Sequence, residues 1–222
     1  MERLFAVLIG YVFGLFQTGY FVGKAKGIDI RDYGSKNAGT TNVLRTLGAQ
    51  YGAIVLIGDA LKCILAVVVC YFIFKDSCSD WIKLIQLYAG AGAILGHNFP
   101  FYLHFKGGKG IAATAGLVIS FGPFLTILGI ITFFGTFFLT HYVSLGSMLV
   151  YVSLMIEVVI LGEHGYFGFA PEIARQMQNE FYIIVFLLGV MAFVRHKENI
   201  KRLKNHTERK TYIMKKPELE QK

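Results

Sequence analysis

The sequence is short of charge. Asp, Glu, Lys and Arg make up 16% of its 222 residues, against 55% hydrophobic, and the mean hydropathy is +0.54. A soluble domain of this length carries about 25% charge. The scarcity excludes an ordinary soluble enzyme and points to one integral membrane domain spanning residues 1–222. Cysteine is scarce too: there are three. Cys63 and Cys70 lie in an apolar run and Cys78 in a short loop. An odd number with no metal-motif spacing implies neither a disulfide framework nor a zinc site. No cluster has metal-ligand spacing of any kind. No carboxylate pair is offered for acid–base work, and no Ser-His-Asp order or HxxxD dyad lies near the polar loops. No internal repeat is visible. No small-residue cleavage site follows Met1-Glu2-Arg3, so the next ~20 apolar residues read as a retained span rather than a signal peptide.

What is present is apolar length. The expected fold is all-α, a polytopic membrane protein of about seven transmembrane helices, several short or broken. The spans are Leu4–Gly23, Gly52–Phe74, Ile82–Asn98, Ile111–Ser120, Phe124–Leu139, Ser147–Leu161 and Glu180–Val194. Gly10-x-x-x-Gly14 and Gly19-x-x-x-Gly23 are small-residue spacings that let helices approach closely in lipid. The 29 apolar residues from Ile111 to Leu139 would make one helix of about 43 Å at ~1.5 Å per residue. Phe121-Gly122-Pro123 splits them, because proline breaks or kinks a helix. Between spans lie a polar loop at 24–50, a short turn at 75–80, a connection at 140–146 and a mixed loop at 162–179. The tail from about 206 to 222 is expected to be poorly ordered.

Charge tests the split. Of 22 Lys and Arg residues, 17 lie in the loops 24–50 and 104–110 and in the segment from Arg195 onward. Seven spans put all three on one side of the bilayer; six would separate the tail from the others. The positive-inside rule therefore predicts a cytoplasmic-membrane protein with its N-terminus outside and its C-terminus in the cytoplasm. Basic charge confined to one membrane face also makes nucleic acid a poor partner. No obligatory protein partner is predicted.

Three polar clusters share that face. The first runs from Tyr33 to Arg45 and includes Ser35, Asn37, Thr41 and Asn42. Hydroxyls, amides and an arginine fork suit phosphate oxygens; the same residues also read as a helix start capped by Thr41 or Asn42. The second is Gly96 to Gly110. His97 and Asn98 end a span, where a lone histidine is usually an interhelical donor. Lys106-Gly107-Gly108-Lys109-Gly110 opens the next helix, where glycines and free N–H groups can converge on an anion. It is not a Walker A loop, since Gly110 stands where Ser or Thr is required. A basic loop lying at the membrane surface is the other reading. The third cluster is Arg195 to Leu203, in which Arg195, Asn199 and Arg202 form one helical stripe beside His196. A positive-inside anchor explains its charge but not its His and Asn. Within span two, Asp59 and Lys62 read as a structural ion pair.

At these residues the chain resembles the bacterial membrane acyltransferases that make lysophosphatidic acid from glycerol 3-phosphate and acyl phosphate. Gly34-Ser35-x-Asn37-x-Gly39-x-Thr41-Asn42-x-x-Arg45 is similar to the first motif of that family. Gly96-His97-Asn98-Phe99-Pro100 through Gly110 is similar to the second, and Arg195-His196-x-x-Asn199-Ile200-x-Arg202-Leu203 to Thr207-Glu208 to the third. Val143 to Ser147 resembles a further family segment. Three departures stand out: Lys36 and His206 where glycine is usual, and Ala38 where Ile or Pro is common. The resemblance implies seven helices and catalysis at the cytoplasmic face, with no cofactor. It assigns Ser35, Arg45, Lys106, His196 and Asn199 to catalysis or phosphate binding. Thr41, Asn42, Ser144 and residues 107–110 become site members. Asn37, His97, Asn98, Lys109 and Arg202 belong to the same motifs and join them as candidate substrate-binding residues. Glycerol 3-phosphate, acyl phosphate and membrane lipids are the implied partners. An activated acyl phosphate needs neither ATP nor coenzyme A.

Two other readings fit the basic loops. A transporter or channel for a phosphorylated solute should carry inverted repeats and a midplane site. A lipid-modifying enzyme could instead draw on coenzyme A or a nucleotide-linked donor.

Overall fold

In a computed structural model, residues 1–213 together with Pro217 and Leu219 are described. Among them all regular structure is helical. The helices are α1 (Glu2–Gly14), α2 (Thr18–Ala25), α3 (Thr40–Leu47), α4 (Ala49–Phe74) and α5 (Ile82–Asn98), followed by α6 (Ile111–Ser120), α7 (Pro123–Thr140), α8 (Val143–Glu163), α9 (Ala174–Arg195) and α10 (Lys197–Lys204). Three single 3₁₀ turns punctuate the loops.

The centre of the bundle is α5. Thirteen of its 17 residues are buried, so it lies within protein rather than against lipid. It packs on α1 through glycines of both helices. A Cβ on Gly10 would fall 1.9 Å from the Ala89 carbonyl oxygen, and one on Gly92 would fall 2.2 Å from that of Val7. The Gly10/Gly14 spacing therefore does what small-residue spacings do in lipid, which is to let backbones meet. The Gly19/Gly23 spacing receives a loop instead: a Cβ on Gly19 would lie 2.0 Å from the Ala38 carbonyl oxygen.

Five helical stretches are long and apolar enough to cross a membrane: 2–25, α4, α7, α8 and α9. At 17 and 10 residues, α5 and α6 fall short of that length. At ~1.5 Å per residue α6 is about 15 Å long, half of a ~30 Å hydrocarbon core. The break before α7 falls where the proline was expected to put it: Gly122 has φ +117° and Pro123 takes the first helical position, where its missing N–H costs nothing.

Several ends shift by a few residues, and four differences from the expected spans bear on the site. The first span is interrupted at residues 15–17. Gln17 is 1% exposed and sends its amide to the carbonyls of Gly14, Gly96 and His97, which anchors the break to α5. The expected 27-residue loop contains α3. The connection between α7 and α8 is only His141–Tyr142, with His141 at φ +60°, so Ser144 and Ser147 already belong to the first turns of α8. Lastly, α9 starts at Ala174 and stops at Arg195, and His196 separates it from α10, so the third cluster is not one continuous helix.

The tail also departs from expectation as far as it is described. The Thr211 N–H donates to the His141 carbonyl at 2.9 Å, and Thr211 is 2% exposed. Residues 206–213 thus run as a strap across the mouth of the bundle. The remainder of the tail expected to be disordered lies outside the described residues, apart from Pro217 and Leu219.

Candidate active site

The three clusters meet at one end of the bundle, and the strap ties them together. Its hub is Glu208. The Ser144 hydroxyl donates to Glu208 Oε1 at 2.8 Å, Asn199 Nδ2 to the same oxygen at 2.7 Å, and Arg202 Nε to Oε2 at 2.7 Å. Lys109 Nζ donates to Asn199 Oδ1. Arg195 reaches back from the end of α9 and donates to the carbonyls of Gly107 (2.9 Å) and Gly108 (2.8 Å). Arg45, from α3, donates to Thr211 Oγ1 at 2.5 Å and to the Arg209 carbonyl at 2.9 Å. Ser144, Lys109, Asn199, Arg202, Arg195 and Arg45 therefore converge. The Glu208 side chain is 5% exposed. Its role is not legible from the motif, in which Thr207-Glu208 only closes the third cluster.

The chain reaches Glu208 by a sharp reversal after α10. His206 sits at φ +55°, and the Thr207 N–H returns to the Arg202 carbonyl at 2.8 Å. Lys36 is the other departure from a family glycine, and it sits at φ +58°. Both therefore occupy left-handed backbone, which glycine enters freely and other L-residues enter at a cost. That is a physical reason for a glycine at each position.

The first cluster is built around Asn42. Helix α3 starts at Thr40 with Gly39 as its cap and no side-chain capping bond, so neither Thr41 nor Asn42 is the N-cap. Asn42, 2% exposed, turns back on the preceding loop instead. Its Oδ1 accepts from the Ser35 N–H at 2.8 Å, and its Nδ2 donates to the carbonyls of Ile30 (2.9 Å) and Tyr33 (3.0 Å). With those bonds made, Asn42 shapes the loop and is not open to a ligand. Ser35 is exposed, while Asn37 and Thr41 are half-buried beside it. At the base of this loop, the side-chain bond from Arg31 holds the Asp29 carboxyl down at about 2.

The glycine loop also differs from the expected cradle. The Gly107 N–H donates to the Asn98 carbonyl at 3.2 Å and the Gly108 N–H to the His97 carbonyl at 3.1 Å. Both donors are committed to the protein, so neither points at an anion. The left-handed residues of this stretch are His104, Phe105 and Gly110. Gly107 and Gly108 are required for closeness: a Cβ on either would fall 2.0 Å from His97, on its carbonyl oxygen or its Nε2 respectively. Cationic side chains remain as donors, with the start of α6 behind Gly110. Lys106 is exposed, and among the described residues its ammonium makes no hydrogen bond or ion pair. His97 and Asn98 are buried beneath the loop at 2% and 0% exposure. Asn98 Nδ2 lies 3.6 Å from the Met191 sulfur.

Electrostatics follow from this packing. Burial, opposed by the Glu208 charge, brings the Lys109 ammonium down to about 8. Burial and then the Lys109 charge bring His196 down to about 4, so it is neutral at pH 7. Its Nδ1 lies 2.8 Å from the Ala192 carbonyl, which can only accept. The proton therefore sits on Nδ1, and Nε2 keeps its lone pair. Burial raises the Glu208 carboxyl, but the bonds from Asn199, Arg202 and Ser144 outweigh it and hold the group below its usual value. Four cations (Arg45, Lys109, Arg195, Arg202) gather in the network around one carboxylate, and Lys106 stands exposed on the same loop as Lys109. Such a surplus of positive charge suits a doubly charged phosphate.

Comparison with known proteins points the same way. Residues 4–206 match the family model described as Glycerol-3-phosphate acyltransferase. Glycerol-3-phosphate acyltransferase of Thermosipho melanesiensis is 38% identical over 218 residues, covering 96% of this chain and 95% of the relative. That of Bacillus subtilis is 38% identical over 205 residues, covering 92% and 95%. The fold matches the crystal structure of PlsY (YgiH), an integral membrane glycerol 3-phosphate acyltransferase, in its glycerol 3-phosphate form. There the TM-score is 0.79 at 30% identity, with 96% of each chain covered. The lysophosphatidic acid form of the same protein gives a TM-score of 0.77 at 29% identity, over 96% of this chain and 97% of that one. With the family pattern matched over nearly the whole chain and the fold shared, this protein belongs to the glycerol-3-phosphate acyltransferase family.

Proposed function

We propose that this protein transfers an acyl group from acyl phosphate to the sn-1 hydroxyl of glycerol 3-phosphate, releasing lysophosphatidic acid and inorganic phosphate. The observation that carries the reading is that Lys109, Asn199 and Arg202 join at Glu208 while Arg45 of the first cluster holds the same strap at Arg209 and Thr211. A site rich in cations and poor in protein bases suits two phosphorylated substrates, one of them already activated. The hydroxyl oxygen attacks the acyl carbon and forms the new C–O bond. The tetrahedral oxyanion collapses, and the bond from the acyl carbon to the phosphate oxygen breaks. The hydroxyl proton passes to the leaving phosphate, so inorganic phosphate departs protonated. Arg45, Lys106 and Lys109 stabilise the charge that builds on the leaving phosphate and the oxyanion. Ser35, His196 and Asn199 orient the substrates, with Asn37, Thr41 and Ser144 at the rim. Glu208 holds Ser144, Asn199 and Arg202 in place. A groove of about 430 Å³ lined by Phe13, Phe16, Leu61 and Leu65, with Lys62 in its wall, supports seating the acyl chain between helices and open to the bilayer.

The proposed topology counts α5 and α6 as the two short spans among seven, in one domain of the cytoplasmic membrane with the site on the inner face. Native cysteines do not report on it well, because Cys63, Cys70 and Cys78 are all buried. Exposed positions do. Lys36→Cys should be labelled from the cytoplasm and Ser79→Cys from outside; labelling of both from one side overturns the topology.

The test of function is acyl transfer by purified protein. Acyl phosphate with glycerol 3-phosphate should give lysophosphatidic acid and inorganic phosphate, and acyl-coenzyme A should give none. Transfer from acyl-coenzyme A alone, or from neither donor, overturns the reading.

A further inference from the structure

A second cluster of charge lies beneath the glycine loop, inside the bundle. Lys62 and Asp59 of α4 are 5% and 1% exposed and sit 2.8 Å apart. The pair was expected from sequence; its surroundings were not. Lys62 Nζ also donates to the Phe16 carbonyl at 2.6 Å, at the break between α1 and α2, and lies 2.8 Å from His97 Nδ1. Thr18 Oγ1 donates to Asp59 Oδ1 at 2.9 Å. Buried charges are costly and need full satisfaction. A structural pair alone leaves the third contact of Lys62, which goes to a histidine, unexplained.

That contact fixes the ring. Lys62 is read as an ammonium from its 2.8 Å ion pair with the Asp59 carboxylate. An ammonium has three protons and no lone pair, and its three neighbours are Asp59 Oδ1, the Phe16 carbonyl oxygen and His97 Nδ1. All three must accept. His97 Nδ1 is 2.8 Å from Lys62 Nζ but 3.6 Å from Asp59 Oδ1, beyond hydrogen-bond range, so Nδ1 carries the lone pair and the neutral ring holds its proton on Nε2. Nε2 is the atom that faces the loop, since a Cβ on Gly108 would fall 2.0 Å from it. Among the described residues no protein group accepts from Nε2. Both carbonyls that hold the loop down belong to His97 and Asn98, so the loop backbone is tied to the residue that carries the ring.

We infer that Asp59 and Lys62 are positioning residues which lock His97 as the Nε2–H tautomer, so that it presents one fixed, buried N–H donor through the glycine loop to a substrate phosphoryl group. Gly108 lacks a side chain so that the donor is not covered. The inference rests on the proposed function for the identity of the phosphoryl group, but not for the tautomer. His97 itself is faced by Asp59 and Lys62 from α4 and by Arg195 from α9, whose forks hold the same loop from the other side.

The test pairs a double-mutant cycle with a spectroscopic readout. In His97→Gln the side-chain amide nitrogen takes the place of Nε2 and offers an N–H that needs no tautomer. Lys62→Met alone should lower kcat/KM at least about tenfold, the range of a lost charge-assisted hydrogen bond. In the His97→Gln background the same change should cost much less, because the sites are coupled. Equal losses in both backgrounds would mean a merely structural pair and overturn the inference. Asp59→Asn/Lys62→Met, which removes both charges together, replaces Lys62→Met if that variant does not fold. In the folded parent, ¹⁵N NMR should show His97 protonated at Nε2 and bare at Nδ1, and inorganic phosphate should shift the Nε2 resonance. An Nδ1–H ring, or no shift at saturating phosphate, sinks the proposal. The NMR arm stands even if the parent transfers no acyl groups, so failure of the functional reading and failure of this one are told apart.

Discussion

The two ends of the bundle handle charge in opposite ways. At the end away from the glycine loop, Arg3 of α1 grips Glu180 of α9 with Nε at 2.5 Å and Nη2 at 2.9 Å. Tyr88 of α5 donates to the same carboxylate, and the Arg3 guanidinium lies 4.4 Å from the centre of the Trp81 ring. One cation meets one anion there, and an aromatic ring closes the arrangement. In the network around Glu208 at the loop end, four cations (Arg45, Lys109, Arg195, Arg202) face one carboxylate. The first arrangement is complete without a ligand. The second has charge left over, and leftover charge in a partly buried place has to be met by something that arrives. Charged residues alone do not mark a site in a membrane protein; an imbalance of them does.

The largest effect that would break this comparison is at Lys106. Lys106→Ala should lower kcat/KM at least about tenfold, and of the order of a hundredfold if the ammonium acts in the transition state, while the protein still inserts and unfolds at the parental temperature. Lys106→Arg should restore little, because a planar fork does not replace a point charge. A parental rate in purified, folded Lys106→Ala would reduce the loop to a basic anchor. The contrasting change is Glu180→Ala. It should cost about 1–3 kcal/mol of stability and leave kcat/KM per folded molecule essentially unchanged. A loss of rate without a loss of stability would show that the far end is not merely a lock. The smallest effect is expected at the two left-handed departures. His206→Gly removes a backbone penalty of roughly 1–2 kcal/mol, offset in part by the extra freedom of glycine in the unfolded chain. Thermal unfolding in detergent should therefore rise by about 2 °C, and Lys36→Gly should behave alike. A fall in both would mean that these side chains contribute contacts worth more than the strain.

Legibility in the sequence followed the local signals. The bounds of α5 and α6 were readable to the residue, because Trp81, the glycine loop and Phe121-Gly122-Pro123 end them chemically. The break at Gln17 was not, since its cause is three carbonyls, two of them about 80 residues away in α5. The starts of α8 and α9 were misplaced because helix there extends into polar residues that read as loop. In the site, the clusters were visible as motifs, but what their members do was not. Asn42 looked like a ligand or a cap and is spent on its own loop. Gly107 and Gly108 looked like donors and are spacers. Glu208 lay among alternating charges that read as a solvated tail. Only the reversal at His206 brings it back, and that is a tertiary event. The co-location of the three clusters came from the positive-inside argument, which uses charge and length and needs no contact.

The strap has a consequence for the order in which the protein is made. Arg45 and Thr211, which touch in the finished protein, are 166 residues apart in the chain. Every span lies before Glu208 in sequence, so the residue that gathers Ser144, Asn199 and Arg202 leaves the ribosome after all of them. Until then the cations of the loop end have no hub. A nascent chain on the ribosome can therefore be inserted and helical while its site remains open, and assembly of the site is the closing event of biogenesis rather than an early one.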